Sequence, residues 1–177
     1  MKYLRRLVGF LFTRLLALLC ILGLLVTVFY FSMNATNIYI IAKDGMAQRA
    51  QMIITGEAER LEAYFLENSA ERDTELREAL NGNSAYQRYY NIPSFDYQLS
   101  LDWFWCWPWE DSARATVTER VSLPDGKLNS ASRVEAEAQG LPNTPVWQSR
   151  TYSLYLERKN GQWQIKNVSV SRMVRDE

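Results

Sequence analysis

Between Leu15 and Met33 the chain runs for nineteen residues without a charge, LLALLCILGLLVTVFYFSM. As a helix rising about 1.5 Å per residue this run spans roughly 28 Å, close to the hydrocarbon thickness of a bilayer. It predicts a transmembrane helix over residues 15–33, a short basic segment over 1–14 and one folded domain over 34–177. The apolar residues from Leu7 to Thr13 extend the helix on the inner side if Arg14 snorkels toward the headgroups. A cleavable signal peptide is the rival reading, but its apolar core usually runs to about 7–15 residues and ends in small side chains. Here Phe29, Tyr30, Phe31 and Met33 occupy that place. Leu18 and Leu19 before Cys20 likewise depart from the small residues that precede a lipidated cysteine.

Charge then sets the expected orientation. The chain has 20 Lys plus Arg and 20 Asp plus Glu, and its zero net charge hides a division. Lys2, Arg5, Arg6 and Arg14 lie before or at the start of the apolar run, which no acid precedes, and the next charge is Lys43. The positive-inside rule places the N-terminus in the cytoplasm and residues 34–177 outside the cell membrane. That domain is weakly acidic, which gives no electrostatic footprint for nucleic acid. The chain contains no His, which removes the commonest general base, any Ser-His or Cys-His pair and most zinc sites. Two cysteines, Cys20 within the apolar run and Cys106 beyond it, make no disulfide framework and no thiol metal site. No cofactor is implied.

From Asn34 to Asn81 the apolar period is that of helices. Ala42, Met46, Ala50, Ile53 and Ile54 share one face of a first segment that Gly56 ends. A second helix is predicted over about Glu57 to Asn68, burying Leu61, Tyr64 and Phe65. A third is capped by Asp73 or Thr74, buries Leu76 and Leu80 and stops at Asn81-Gly82. Each stripe needs a sheet or another helix to cover it. Residues 83–94, with Tyr86, Tyr89, Tyr90 and Pro93, read as irregular.

Strict alternation follows. Phe95, Tyr97, Leu99, Leu101, Trp103, Trp105, Trp107 and Trp109 hold every second position, with Asp96, Gln98, Ser100 and Asp102 between the first five. A period of two describes a strand with one buried face. After Asp102 the other phase also becomes apolar, at Phe104 and Cys106, and Pro108 stops regular pairing. The stretch therefore divides: residues 95–101 read as core strand, whereas the two-sided end from Trp103 to Trp109 must be covered on both sides, by the domain itself or by a partner. Trp is a frequent component of both cores and contact hot spots.

A second strand is predicted through Ala115, Val117, Val121 and Leu123, which places Glu119 on the inward phase. Pro124-Asp125-Gly126 is a turn, and a weak polar strand is expected over Ala131 to Ala138. Val146 to Glu157 is a strand with Tyr152, Leu154 and Leu156 on one face and Trp147, Thr151 and Tyr155 on the other. Asn160-Gly161 gives a hairpin, and Gln162 to Met173 the last strand. There Trp163 and Ile165 share one phase and Val168 and Val170 the other, which calls for a bulge near Lys166 or a two-sided strand. The charged tail from Arg172 to Glu177 is expected to fray.

The fold class is thus α+β: an N-terminal transmembrane helix, then three helices on a curved antiparallel sheet of four to five strands. The closing hairpin, Tyr152, Leu154, Leu156, then Asn160, Gly161, Gln162, Trp163, Gln164, Ile165 and Val168, resembles the one that ends many domains of the nuclear transport factor 2-like superfamily. Residues 38–173 are similar to it in element order. The resemblance implies helices wrapped into the concave face of a cone-like sheet. With one N-terminal anchor, the plan also resembles the bitopic scaffold proteins of type IV secretion and conjugative transfer, which implies an assembly role. Fold by itself does not fix function.

Enzymes of that superfamily, isomerases and dehydratases, use an acid inside the cone. Asp96, Asp102 and Glu119 are the acids within strands here, with Tyr97 or Tyr155 as donors, and a carboxylate buried among apolar groups would serve as a base. Asp96 and Asp102 stand opposite the aromatic stripe, which leaves Glu119 as the interior candidate. One acid without His is a thin basis for catalysis. Asn34-Ala35-Thr36 and Asn167-Val168-Ser169 match the glycosylation pattern, but one adjoins the membrane and the other lies in a strand. Cys106, near Asp102 and Glu110, lacks the basic neighbour a reactive thiol needs.

The expected function is a membrane-anchored, non-enzymatic domain that binds protein partners or its own copies in the cell envelope. Trp103, Trp105, Trp107, Trp109 and Phe104 are the candidate contact residues, and no catalytic or metal residue is assigned. The alternatives are a binder of an apolar small molecule or lipid in an aromatic-lined cone, and a His-free isomerase-like or dehydratase-like enzyme.

Overall fold

The computed structural model of the protein describes residues 2–123 and 125–173. Pro124 of the expected turn and residues 174–177 of the expected frayed tail lie outside the described residues. In chain order the elements are α1 (Lys2–Thr55), α2 (Leu61–Tyr64), α3 (Ser69–Arg72), α4 (Thr74–Leu80), α5 (Ala85–Tyr89), β1 (Tyr90–Asn91), β2 (Asp96–Trp105), β3 (Ser112–Ser122), β4 (Lys127–Leu128), α6 (Arg133–Ala138), β5 (Arg150–Lys159) and β6 (Gln162–Met173). The fold is α+β, with a four-stranded antiparallel sheet in the order β2-β3-β5-β6 and a two-stranded sheet of β1 and β4.

One helix joins the two halves of the chain. α1 is continuous for 54 residues, about 80 Å at 1.5 Å per residue. Its apolar part is exposed up to Tyr30. From Asn34 onward one face is buried, through Ile38, Ala42, Met46, Arg49, Ala50, Ile53 and Ile54. These positions recur at three or four residues, so the same helix changes from exposed all round to half-embedded without a break. It ends where expected, at Gly56, whose φ of +79° suits a residue without a side chain. Carbonyls of its last turn accept from the segment around α5: Ser84 Oγ donates to Ile53 O at 2.7 Å, and Gln87 Nε2 donates at 2.7 Å to Met52 O, which also accepts the Gly56 N–H at 3.0 Å.

The core lies between α1 and the inner face of the sheet. Ile38, Ala42 and Met46 meet Ala113, Ala115 and Val117 of β3, Tyr152, Leu154 and Leu156 of β5, and Trp163 and Ile165 of β6, with Phe65 and Leu76 closing the side. α1 comes close to the sheet at Gly45, where a Cβ would stand 2.8 Å from Ile165 Cδ1 and 3.1 Å from Tyr64 Cβ. The last hairpin turns at Asn160 and Gly161, with φ of 54° and 81°, between Lys159 and Gln162. Lys166 is the extra residue between the pairs Tyr155–Asn167 and Leu156–Ile165, which is the bulge that lets Val168 join Trp163 and Ile165 on the core side.

Several expectations are corrected. The segment from Ala131 to Ala138 is not a strand; Arg133–Ala138 is helical, α6, since Arg, Glu and Ala favour a helix and Arg133 Nε pairs with Glu137 Oε1 one turn on. Ala136 is the residue α6 buries, against Tyr89 and Tyr90. Residues 85–89, expected to be irregular, form α5, and the predicted second helix shrinks to Leu61–Tyr64 with α3 after it. In α4, Leu76 is buried as expected but Leu80 is 48% exposed, because the helix ends there with no element over it.

A further correction concerns the aromatic strand. Leu101 pairs with Val117 and Trp103 with Thr116, so Asp102 has no partner and forms a bulge. An extra residue turns two successive side chains to one face and reverses the phase of all that follow. Tyr97, Leu99 and Leu101 pack toward the core, and beyond the bulge Phe104 and Cys106 take that role. Trp103 and Trp105 are turned outward, opposite Thr116 and Arg114.

Candidate functional site

Two regions concentrate chemistry. The first is a polar cluster inside the domain, at the level of the last three turns of α1. Arg49 lies on the buried face of α1 and is 2% exposed. Its Nε donates to Asp73 Oδ2 at 2.6 Å, and its Nη2 to Asp73 Oδ1 at 3.1 Å and Glu75 Oε2 at 2.9 Å. Burial works against the guanidinium charge, but the hydrogen bond and the charge of Asp73 outweigh it and hold Arg49 above its ordinary value. The cation also sits 5.2 Å from the centre of the Tyr152 ring. Asp73 is at once the N-cap of α4, accepting from the Leu76 N–H at 3.2 Å. Glu75 continues the chain of ions to Arg150 at the start of β5. Burial pushes the Glu75 carboxyl up, yet Arg150 and Arg49 together draw it below its usual value.

Beside this chain of ions lies Glu119. It is fully buried on the inner face of β3, where the alternation placed it. Trp147 Nε1 donates to its Oε1 at 3.0 Å, and Tyr97 Oη donates to its Oε2 at 3.4 Å. Burial raises its carboxyl from 4.5 to about 7 despite the opposing pull of Arg49 and of those two donors. Burial likewise raises the Tyr152 phenol to about 12. Trp147, expected on the outer face of a strand, precedes β5 and seals Glu119 instead; Tyr155, the other candidate donor, is on the outer face beneath Lys166. A cleft of about 170 Å³ opens next to Trp147, lined by Ile53, Glu75, Ser84, Tyr86 and Arg150. Glu119 is not part of its wall.

The second region is the end of β2. Trp103, Trp105, Trp107 and Trp109 are 52, 46, 41 and 70% exposed. Three of them form a ladder. The rings of Trp105 and Trp107 meet edge to face at 5.2 Å between centroids, and those of Trp107 and Trp109 stack at 5.2 Å and 20°. Phe104 points the other way, and its ring lies 5.2 Å from that of Phe31 on α1. Cys106 is buried, its Sγ donating to Trp107 O at 3.2 Å, and burial pushes its thiol up. Asp96 and Asp102 are exposed on the outer face, and Thr118 Oγ1 donates to Asp102. The structure thus brings the four Trp residues together on the surface and separates them from Phe104.

Asn34 of the first glycosylation pattern is buried, its Oδ1 accepting from Arg158 Nη2 at 2.6 Å. The Arg49 cluster went unread in the sequence, although Arg49 falls one turn from both Met46 and Ile53 on the apolar face, a visible signal of a buried charge. Among the described residues no group of acids, cysteines or histidines has the arrangement of a metal site. No family model matches the chain, and neither a curated protein nor a solved structure matches it.

Proposed function

We propose that this protein is a membrane-anchored, non-enzymatic interaction domain, held on the outer side of the cell membrane by α1 and acting in assembly with protein partners or further copies of itself. The observation that carries this reading is the continuity of α1. Its first half is apolar and exposed, and its second half is the core helix of the folded domain. Such a helix fixes the domain to the bilayer with no flexible linker between them, which suits a part that positions others. The basic residues before the apolar run and their absence just after it support an N-terminus in the cytoplasm.

Glu119 supports the non-enzymatic reading. Both of its oxygens are occupied by donors from Trp147 and Tyr97, and the side chain has no exposed surface. The cleft at Trp147, at about 170 Å³, is smaller than the roughly 300–1,000 Å³ of small-molecule sites, and the larger grooves, about 400, 440 and 490 Å³, include neither Glu119 nor any of the four Trp residues in their walls. The four Trp residues face away from the interior, which favours contact across the surface over an aromatic-lined cavity. Helices ahead of a four-stranded antiparallel sheet, with α6 inserted before its last two strands, agree in element order with the proposed likeness to the nuclear transport factor 2-like domains and to the bitopic scaffolds of type IV secretion, and a cone-like curvature of the sheet is part of that proposal.

β2 is an edge strand, paired only with β3, and its outer face carries Gln98 and Ser100. An open edge of this kind is a template for a further strand. A photo-crosslinker placed at Gln98 or Ser100 in the full chain, in its own membrane, tests the reading. Adducts between copies or with other envelope proteins are expected. A chain that is extracted from the membrane without detergent, or that gives no adduct from either position, refutes it.

A further inference from the structure

The tryptophan ladder is tied to one level of α1, and that level is the end of the apolar run of residues 15–33. On one side of the ladder Phe104 meets Phe31. On the other, the backbone N–H of Arg158 donates to Asp111 O at 2.7 Å, and the Arg158 side chain donates to Asn34 Oδ1 at 2.6 Å. Residues 104–111 are thus attached at both ends to residues 31–34 of the helix. The apolar run predicted to span the membrane closes between those two points, at Met33, where Asn34, Thr36 and Asn37 begin a more polar stretch. β2 approaches this level from above: Tyr97, near its start, donates to Glu119, whose carboxylate lies in the field of Arg49, whereas Phe104 has descended to Phe31.

A bilayer surrounds a spanning helix on every side. Anything fastened beside the last turn of its apolar part must therefore stand among headgroups. The indole ring is suited to that layer, with an apolar body and one N–H donor, and Trp is enriched there. Resting on the anchoring part of the proposed function, we infer that Trp103, Trp105, Trp107 and Trp109 insert into the headgroup region of the same membrane that α1 crosses, forming a second, lateral attachment that fixes the tilt and rotation of the domain. The partner of this surface is the lipid interface. The polar sheet face and the open edge of β2 are then left free for protein.

Glu110 and Asp111, which follow the ladder, return the chain to water.

The test uses the full chain in phosphatidylcholine vesicles containing lipids brominated near the top of the acyl chains. Four of the six Trp lie on this surface and Trp163 is buried, so Trp emission reports mainly on the ladder. Flotation with the vesicles reads anchoring separately. The expected result is a blue-shifted emission, quenched by the brominated lipid and protected from aqueous acrylamide, with most of the quenching lost in the double variant Trp107→Ser, Trp109→Ser. Both residues are exposed, and far-UV circular dichroism confirms that the variant folds. A chain that floats but whose emission is open to acrylamide and unaffected by bromine overturns the inference and leaves anchoring intact. Emission shielded from both quenchers, and increasingly so with more protein per vesicle, also overturns it and assigns the ladder to a protein neighbour. A chain that fails to float refutes the anchoring reading itself.

Discussion

Glu119→Gln isolates the most unusual titratable group of the domain. The side chain is fully buried, and burial raises its carboxyl from 4.5 to about 7. Below about pH 4.5 the folded and unfolded chains both hold this proton, and the stability that comes from the neutral carboxyl is fully present. As pH rises through the window to about 7, the folded chain keeps a proton that the unfolded chain has lost, so stability falls by up to about 1.4 kcal/mol per pH unit. Above about 7 the loss is complete, at about 3 kcal/mol. The Gln amide is neutral throughout. Its oxygen accepts from Trp147 and its NH₂ donates toward Tyr97, so the packing is kept while the titration is removed. Glu75, whose carboxyl is drawn down, titrates in both proteins and largely cancels from the comparison. The assay is denaturant unfolding of the full chain in nanodiscs, followed by near-UV circular dichroism, from about pH 4 to about pH 9. Relative to the variant, the native chain is expected to lose about 3 kcal/mol between the acid and alkaline ends. A difference that stays constant across that range refutes a neutral, buried Glu119 and the closed polar cluster around it.

Arg49→Met leaves Asp73 buried without its cation and is expected to cost about 3–5 kcal/mol in the same unfolding assay. Adding Asp73→Asn, which keeps an effective N-cap on α4, should recover much of that loss; a double variant as unstable as the single one refutes the pairing as the cause. At Gly45 the ranking is the test. Gly45→Val forces a branched side chain against Tyr64 and Ile165 and is expected to lose about 1–3 kcal/mol or more, measured by thermal unfolding. Gly45→Ala is closer to neutral because a gain in helix propensity of about 1 kcal/mol offsets the tighter contact. Equal stability of the two variants refutes close approach of α1 and β6 at this point.

Much of the architecture is legible in the order of the residues. The uncharged run, the helical period after Asn34, the stop at Gly56, the Asp73 cap and the Asn160-Gly161 hairpin each depend on a chain property that acts over a few residues. The two phases of β6 even locate its bulge at Lys166, because apolar side chains had to change parity somewhere between Ile165 and Val168. Glu119 was placed on the inner face by the same alternation. Local preference failed where it was weak: the residues of α6 alternate by chance between small and charged side chains, and a helix forms once Ala136 finds Tyr89 and Tyr90 to pack against.

The tryptophans mark the boundary between the two kinds of information. Composition and period alone established that residues 103–109 are apolar on both sides and must be covered twice. Which side faces the core was decided by a single unpaired residue, Asp102, whose bulge is fixed by pairing with β3 and by the fit of Phe104 against Phe31. The ion chain from Asp73 through Arg49 and Glu75 to Arg150 is tertiary in the same sense, since it joins α1, α4 and β5 across a hundred residues of sequence. A strand reads out its period from neighbours two residues away, but its phase and its charge partners depend on what the rest of the chain places opposite, and only the assembled fold supplies that.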